Sequence, residues 1–172
     1  ANVAKSCGAL VPFKRPENLS NDKALSLPVI QHSLKFMEAK HSFQYDLVIM
    51  LQPTTPLRLT KDIDNAINIL LETQSDSVIS VVEVEGHHPL RMKRVIEGRL
   101  INYIDQGHED MRPRQDLPPV YIRNGAIYAT RRDVLIENNS FIGLDSRAYI
   151  MPLERSVNID TKEDLLLAKS YF

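Results

Sequence analysis

Strand-like apolar runs that alternate with helical segments most constrain the fold of this 172-residue chain. The run from Asp46 to Leu51 is almost continuously apolar, which is typical of a parallel strand covered on both faces. A loop follows it, then a periodic segment preceded by Thr60, and then a β-branched run from Ser77 to Val84. This order produces βαβ crossovers, so it predicts an α/β fold with a mostly parallel sheet and the first of these strands at its centre.

Other segments supply further elements of the same two kinds. Leu27, Ile30, Leu34 and Met37 have helical spacing, which predicts a helix from about Leu27 to Lys40 with Ser26 as its N-cap. The remaining predicted elements are a helix tail ending at Gly8, an edge strand over Ala9–Phe13, a strand over Gly125–Ala129, a helix over Arg132–Glu137, a strand over Arg147–Met151 and a helix over Thr161–Tyr171.

The alternation stops between Gly86 and Arg123, where Pro, Arg and Lys are frequent. Two strand-like pieces, Met92–Ile96 and Leu100–Ile104, interrupt this stretch. We interpret residues 86–123 as a small β-rich excursion from the sheet that is used in dimerisation. Residues 1–172 as a whole are predicted to form one domain.

Composition excludes several classes of function. The chain has 21 basic and 22 acidic side chains, and a net charge of −1 gives no field that would attract nucleic acid or an anionic membrane. No apolar run approaches the roughly 20 residues of a membrane span. Cys7 is the single cysteine, so no internal disulfide can form, and a cytoplasmic location is expected.

Ligands of doubly wound sheets collect beyond the carboxyl ends of the strands, so polar residues just after each strand are candidates for a site. Four segments qualify: Lys14–Asp22, Leu51–Arg58, Arg112–Tyr128 and Ser156–Asp164. Arg15 could pair with a phosphate or carboxylate, or simply lie on a solvated loop. Two prolines stiffen the loop that carries Gln52. Tyr128, taken singly, is more often a core residue than a ligand contact.

The last of these segments contains a possible metal site. Asn158 and Asp160 are two residues apart in an extended stretch and should point to the same side. Oxygen ligands of this kind suit Mg²⁺, which keeps several waters and shares substrate phosphates. The alternative is that Asp160 or Thr161 caps the last helix and Asp164 enriches its first turn.

Six motifs, taken in order, resemble the acylneuraminate cytidylyltransferase family over nearly the whole chain. They are Arg15-Pro with Asp22, Leu51-Gln-Pro-Thr-Thr-Pro-Leu-Arg58, His87-His-Pro-Leu-Arg91, Arg114-Gln-Asp-Leu-Pro118, Asn124-Gly-Ala-Ile-Tyr128 and Asn158-Ile-Asp-Thr-Lys-Glu-Asp-Leu165. The resemblance implies a Rossmann-like fold of the nucleotide-diphospho-sugar transferase type. It also implies transfer of CMP from CTP to the anomeric hydroxyl of a nonulosonic acid, with Mg²⁺ or Mn²⁺ and a homodimeric assembly.

The family's pattern also assigns roles to residues. Arg15 and Ser26 would bind the nucleotide, Gln52 and Asn124 the sugar, and Asp160 with Asn158 the metal. Arg15, Gln52 and Asp160 would carry the catalysis. On the sugar side, the resemblance implies that Arg114 binds the carboxylate, that Tyr128 forms a pocket wall, and that Arg91 and Phe141 come from the partner subunit.

The chain departs from the family's pattern in three places. Asn158 stands where relatives commonly have Asp, and Ile142 where they often have an aromatic residue. The family's first strand and its phosphate-binding loop have no counterpart before Ala1, so we expect that an N-terminal βα segment is missing from this chain. Alternatives are the same chemistry on legionaminic or pseudaminic acid, or a non-catalytic dimeric module that keeps only the sugar pocket.

Overall fold

The structure, a computed structural model, describes residues 1–84 and 86–171. Within these residues the helices are α1 (Asn2–Ser6), α2 (Ser26–His41), α3 (Thr60–Thr73), α4 (Arg132–Ile136) and α5 (Lys162–Lys169). The strands are β1 (Leu47–Met50), β2 (Ser77–Glu83), β3 (Lys93–Ile96), β4 (Arg99–Asn102), β5 (Tyr121–Arg131) and β6 (Ser146–Ile150). The α/β class predicted from the alternation of strands and helices is confirmed.

The main sheet is mixed, with the strand order β1-β5-β2-β6. β5 is antiparallel to both β1 and β2, whereas β2 and β6 are parallel, so three of the four strands share one direction. In the described residues β1 lies at an edge, and the prediction that it is central is wrong. The apolar run reflects burial of both faces of the strand, because Ile49 and Met50 pack into clusters on opposite faces. Burial of the faces does not determine which strands are hydrogen-bonding neighbours.

Helices cover both faces of this sheet. Ala66 and Leu70 of α3 pack against Val78 and Ile127 on one face. On the other face, Ile30 of α2 packs with a cluster formed by Met50, Ile79 and Tyr128. Neighbouring residues of β2 therefore face different helices, as the two-residue period of a strand requires. None of the helices in the described residues is long and apolar enough to cross a bilayer.

The structure corrects two predictions near the N-terminus. Leu25 is the N-cap of α2 and Ser26 its first helical residue, so the prediction that Ser26 caps the helix is wrong. Residues 9–13 form no strand. The Phe13 ring instead packs against His32 and Phe36 of α2, at centroid distances of 5.2 and 4.5 Å. An apolar pattern is satisfied equally well by contact with a helix as by pairing with a strand.

The excursion contains a two-stranded antiparallel sheet formed by β3 and β4, close to the two predicted pieces. It ends earlier than predicted, because β5 begins at Tyr121, which pairs with Glu83. The buried side chain of His88 connects the start of the excursion to its end. Its Nδ1 accepts a hydrogen bond from the Leu90 N–H (3.2 Å), so Nε2 carries the proton and donates to the Pro118 carbonyl (3.0 Å).

Candidate active site

The carboxyl ends of β1, β2 and β6 lie at one edge of the sheet, together with the first half of β5. Met50, the last residue of β1, pairs with Tyr128. Val81, near the end of β2, pairs with Arg123 of β5 and with Ile150 at the end of β6. The polar segments that follow these strands therefore emerge at a shared edge, as ligand-binding segments of α/β sheets do.

Arg15, Ser26 and Gln52 line one cleft of about 190 Å³, which we call the Gln52 cleft. Ile30 and Met50 are part of its wall. Arg15 and Ser26 are exposed, and the Arg15 guanidinium makes a 3.4 Å hydrogen bond to the Leu19 carbonyl. The structure thus brings together two residues predicted for the nucleotide and one predicted for the sugar. A guanidinium, a hydroxyl and an amide in one cleft offer hydrogen-bond donors to an anionic, polar ligand.

Internal hydrogen bonds hold the loop that carries Gln52, residues 52–58, in one shape. Arg58 Nη1 donates to the carbonyls of Gln52 (2.8 Å) and Thr55 (2.7 Å) and to Thr55 Oγ1 (3.1 Å). The fully buried Thr55 hydroxyl in turn donates to the Gln52 carbonyl at 3.0 Å. Burial lowers the pKa of Arg58. Arg58 therefore acts as an internal brace of the Gln52 loop, a role that its position in the motif did not reveal.

Asn124 is buried, and both ends of its side-chain amide are engaged. Oδ1 accepts from Ser80 Oγ (2.6 Å) and from the Ala126 N–H (3.2 Å), and Nδ2 donates to Ser156 Oγ (2.9 Å). The side chain joins β2, β5 and the segment after β6. This geometry gives Asn124 a structural role and directs neither end of its amide at a ligand.

Tyr128 and Phe141 pack together on the α2 face of the sheet, with ring centroids 5.9 Å apart. Tyr128 contacts the cluster of Met50 and Ile30, which also line the Gln52 cleft. The sequence left open whether Tyr128 is a core residue or a ligand contact. In the structure it is a core residue that lies directly behind the wall of the cleft. Phe141 lies in the same cluster of its own chain, where its carbonyl accepts from Thr130 Oγ1 at 2.8 Å.

Arg114 and Arg91 belong to the excursion and are not part of the lining of the Gln52 cleft. Arg114 lines a second cleft of about 540 Å³ with Glu83 and Gln115. Arg91 Nη2 donates to the Arg112 carbonyl at 2.7 Å. Arg112 is itself held by Asp110, and hydrogen bonds from the Arg112 guanidinium lower the pKa of that carboxyl to about 2.

The predicted metal ligands are adjacent in space. Asn158 Nδ2 donates to Asp160 Oδ2 at 2.6 Å, and Asn158 Oδ1 is buried without a hydrogen-bond partner. Thr161 caps α5, and its N–H and hydroxyl donate to Asp164, whose pKa they lower. The side-chain capping role therefore falls to Thr161 and Asp164. The Asp160 N–H also donates to Asp164, at 3.1 Å, but the side chains of Asn158 and Asp160 take no part in the cap.

The oxygen atoms of this pair are of the type that a hard divalent cation binds, although the Asn158 amide nitrogen, and not its oxygen, faces the Asp160 carboxylate. A buried amide oxygen without a partner and an adjacent carboxylate are both oxygen ligands. Within the described residues there is no group of three or more His, Cys, Asp or Glu that could hold a metal ion. An ion at Asn158 and Asp160 would thus take its other ligands from water and from substrate phosphates, as Mg²⁺ usually does.

The segment after β6, residues 152–160, lies against the Gln52 loop. The Ile159 N–H donates to the Thr54 carbonyl at 2.8 Å, which places Asn158 and Asp160 beside that loop. Arg155 of the same segment pairs with Asp62 in the first turn of α3 (2.8 Å). Neither Asp62 nor Arg155 was singled out from the sequence, because an acidic residue in the first turn of a helix is sufficiently explained by helix capping.

Asp62 is fully buried and keeps its charge. Burial raises the pKa of this carboxyl, but hydrogen bonds from Arg155, the Leu59 N–H and the Tyr149 hydroxyl outweigh that effect, so the pKa is lowered overall.

The sequence was compared with family models and with individual curated proteins. No family model matches the chain, but several individual proteins are similar to it. The chain is 31% identical over 169 residues to a pseudaminic acid cytidylyltransferase of Campylobacter jejuni, an alignment that covers 97% of this chain and 71% of that protein. It is 30% identical over 171 residues to a CMP-N,N'-diacetyllegionaminic acid synthase of Legionella pneumophila, covering 98% and 72%.

A longer relative is also similar. The chain is 33% identical over 161 residues to an N-acylneuraminate cytidylyltransferase of Streptococcus agalactiae, which covers 92% of this chain but only 37% of that protein. The resemblance seen in the six motifs thus extends along nearly all of the sequence. This chain belongs to the family of acylneuraminate, pseudaminic acid and legionaminic acid cytidylyltransferases.

Proposed function

We propose that the protein transfers CMP from CTP to the anomeric hydroxyl of a nonulosonic acid. The sugar oxygen would form a bond to the α-phosphorus of CTP, the bond from that phosphorus to pyrophosphate would break, and the hydroxyl proton would pass to solvent or a base. The observation that carries the proposal is the Gln52 cleft, where Arg15, Ser26 and Gln52 meet at the carboxyl end of β1 in a chain related to cytidylyltransferases.

On the nucleotide side, Arg15 would bind phosphate oxygens and Ser26 would hydrogen-bond the nucleotide, while Gln52 would bind the sugar. The exposure of Arg15 and Ser26 in the cleft supports these roles. Asp160 and Asn158 would hold Mg²⁺, or Mn²⁺ as the alternative. When bound, such an ion neutralises charge on the phosphates. The partnerless Asn158 oxygen beside the Asp160 carboxylate supports this assignment.

On the sugar side, Arg114 would bind the sugar carboxylate, because a planar guanidinium matches a carboxylate in geometry. Its position in a cleft of about 540 Å³ supports this role. Tyr128 would form the wall behind the pocket. Asn124 would act by holding β5 and Ser156 in place rather than by touching the sugar. Arg91 would be offered across a dimer interface. Phe141, which is only partly buried against Tyr128 of its own chain, would reach a partner's pocket through its exposed part.

The assembly is proposed to be a homodimer formed through the excursion. Val95, Leu100 and Met111 are exposed apolar side chains of the excursion, which supports an interface there. The packing of α2 and α3 on opposite faces of the sheet supports a doubly wound, Rossmann-like arrangement. We further propose a cytoplasmic location, which the single cysteine of the chain favours.

Three acids are candidates for the sugar. Relatives named for acylneuraminate, pseudaminic acid and legionaminic acid are 33, 31 and 30% identical to this chain, a range too narrow to select one. N-acetylneuraminic acid or a related nonulosonic acid is the proposed acceptor, with legionaminic and pseudaminic acid as specific alternatives.

The test is pyrophosphate release by the full-length gene product. CTP and Mg²⁺ would be supplied with each of the three acids in turn, and the CMP-sugar would be identified by mass. We expect release only when CTP, Mg²⁺ and one suitable acid are all present, and about a hundredfold loss in kcat/KM for Arg15→Ala, because removing a preorganised donor from a developing charge costs on that order. Silence with all three acids would contradict the enzyme proposal and favour a non-catalytic sugar-binding module.

A further inference from the structure

We propose that Asp62 is a positioning residue for the candidate metal-binding segment. Through Arg155 it holds residues 152–160, and with them Asn158 and Asp160, against the Gln52 loop. The inference deepens the proposed function and rests on it for its catalytic consequence, whereas its structural part stands on the geometry alone.

Asp62 has the contacts of an anchor and not of a ligand. Its carboxylate is completely shielded from solvent. Oδ1 accepts from Arg155 Nη2 and from the Tyr149 hydroxyl, both at 2.8 Å, and Oδ2 accepts from the Leu59 N–H at 2.7 Å and from Arg155 Nε at 3.3 Å. Both oxygens are therefore used inside the protein, and the bidentate contact fixes the direction of Arg155.

The ion pair joins the helix that follows the Gln52 loop to the segment that carries Asn158 and Asp160. Asp62 lies in the first turn of α3, the helix that follows the Gln52 loop. Arg155 lies three residues before Asn158, in the segment after β6. In the described residues the segment is also held by hydrogen bonds from the Ile159 N–H to the Thr54 carbonyl (2.8 Å), from Asn124 to Ser156 (2.9 Å) and from the Asp160 N–H to Asp164 (3.1 Å). The contact between Arg155 and Asp62 differs from these because it is an ion pair.

This arrangement explains why a buried charge is present beside the candidate site. A neutral hydrogen bond leaves an exposed segment free to open locally, whereas a shielded ion pair is costly to separate because one charge would remain without its partner. Asp160 is exposed, and its N–H donates to the Asp164 carboxylate at 3.1 Å. Its position relative to the Gln52 loop therefore depends on the bond from Ile159 to Thr54 and on how firmly Arg155 is held.

Hydrogen exchange of the 172-residue chain tests the structural part. In Asp62→Asn the unpaired charge remains on Arg155, whose side chain is 27% exposed and can be hydrated, so the fold should survive. We expect amides in residues 152–160 to exchange about tenfold faster, equivalent to about 1.4 kcal/mol of local opening, with β5 unchanged. Arg155→Gln should give the same pattern, and the double variant should add little to either single change, as coupled partners do.

The matched control is Glu38→Gln, which breaks the ion pair between α2 and α4 (Arg132 Nε to Glu38 Oε1, 2.6 Å). It should leave exchange in residues 152–160 unchanged. Unaltered exchange of that segment in Asp62→Asn, or faster exchange spread evenly over the chain, would overturn the positioning role. Arg155→Lys, which keeps the charge, is the second variant should Asp62→Asn fail to fold, and it should show an intermediate effect.

Steady-state kinetics of the full-length gene product test the catalytic consequence. Asp62→Asn should raise the Mg²⁺ concentration for half-maximal rate about tenfold while KM for the sugar stays within about twofold, because only the metal segment is released. A role limited to overall stability would lower the amount of active enzyme and leave the Mg²⁺ requirement unchanged. If the unaltered protein shows no cytidylyltransferase activity, the proposed function fails, but the exchange result still decides the structural part.

Discussion

At the scale of single residues, Gly125 shows how a backbone position can shape the candidate site. Its φ of +77° lies in the left-handed region that disfavours residues with a side chain. A Cβ at this position would also collide with Oε1 of Gln52 and lie 3.4 Å from its Cδ. Gly125 therefore gives the Gln52 side chain the space it occupies beside the cleft.

Replacement of Gly125 by alanine should destabilise the protein for two separable reasons. The backbone conformation alone costs about 1–2 kcal/mol. The collision with Gln52 adds to this cost unless that side chain moves. Gly98→Ala is the matched control, since Gly98 has a similar φ of +76° but no atom lies within 4 Å of the place its new methyl group would take. Urea unfolding of both variants should show the larger loss for Gly125→Ala, and Gln52→Ala should remove the excess. Equal losses in the two glycine variants would contradict the contact.

Some candidate site residues can be recognised from short sequence motifs, whereas others can be recognised only from their contacts in the folded structure. Gln52 follows a strand and Ser26 begins a helix, which is visible in the order of residues, whereas Arg15 was singled out after a predicted strand that the structure does not contain. Asp62 and Arg155 are far apart in sequence, and each has an ordinary local explanation. Their pairing across 93 positions exists only after the sheet has formed.

At the scale of elements, the β3–β4 hairpin has features that are typical of a protein–protein interface. Its two strands pair only with each other in the described structure. Val95 and Leu100 lie directly opposite one another and are 73 and 70% exposed. A two-stranded sheet is marginally stable by itself, so an exposed apolar pair on it favours association with another surface.

The double change Val95→Lys with Leu100→Lys should therefore weaken the proposed homodimer. Two buried charges without partners are costly, so we expect the dissociation constant measured by analytical ultracentrifugation to rise at least about a hundredfold. Leu144→Lys is the control, because Leu144 is a fully exposed leucine outside the excursion. If the unaltered protein is a monomer, or the hairpin variant dimerises as tightly as the control, the interface lies elsewhere or does not exist.

Elements also show the limit of local patterns. Residues 47–50 form a strand as expected, but its place at the edge of the described sheet depends on β5, which enters antiparallel between β1 and β2. β5 follows β1 only after α3, β2 and the whole excursion, and its direction follows from the course of that excursion. No apolar periodicity records the direction of a strand.

At the scale of the whole molecule, four carboxylates among the described residues have pKa values below their ordinary range. The Arg132 hydrogen bond lowers the pKa of Glu38, and the contacts described above lower those of Asp62, Asp110 and Asp164. Each group is thus protonated more readily in the unfolded chain than in the folded one. Their stabilising contribution is complete above the unfolded pKa values and is lost as the pH falls through the folded values.

We therefore expect stability to be nearly constant from pH 7 to about pH 5 and to fall progressively below about pH 4. The urea midpoint measured across this range checks the expectation. Glu38→Gln removes one of the four groups, so it should be less stable at pH 7 and lose less on acidification. A midpoint that rises as the pH falls from 5 to 3 would contradict the assigned ion pairs.

The sequence by itself determined the α/β class, the bounds of most helices and strands, and the polar segments that follow the strands, because these depend on periodicity and on residue type within short windows. Tertiary structure alone decided the mixed order of the sheet, the inward orientation of Asn124, the meeting of Arg15, Ser26 and Gln52 in one cleft, and the link from Asp62 to Arg155. Each of these depends on which distant segments become neighbours, and the apolar faces that drive the packing specify burial without specifying the partner.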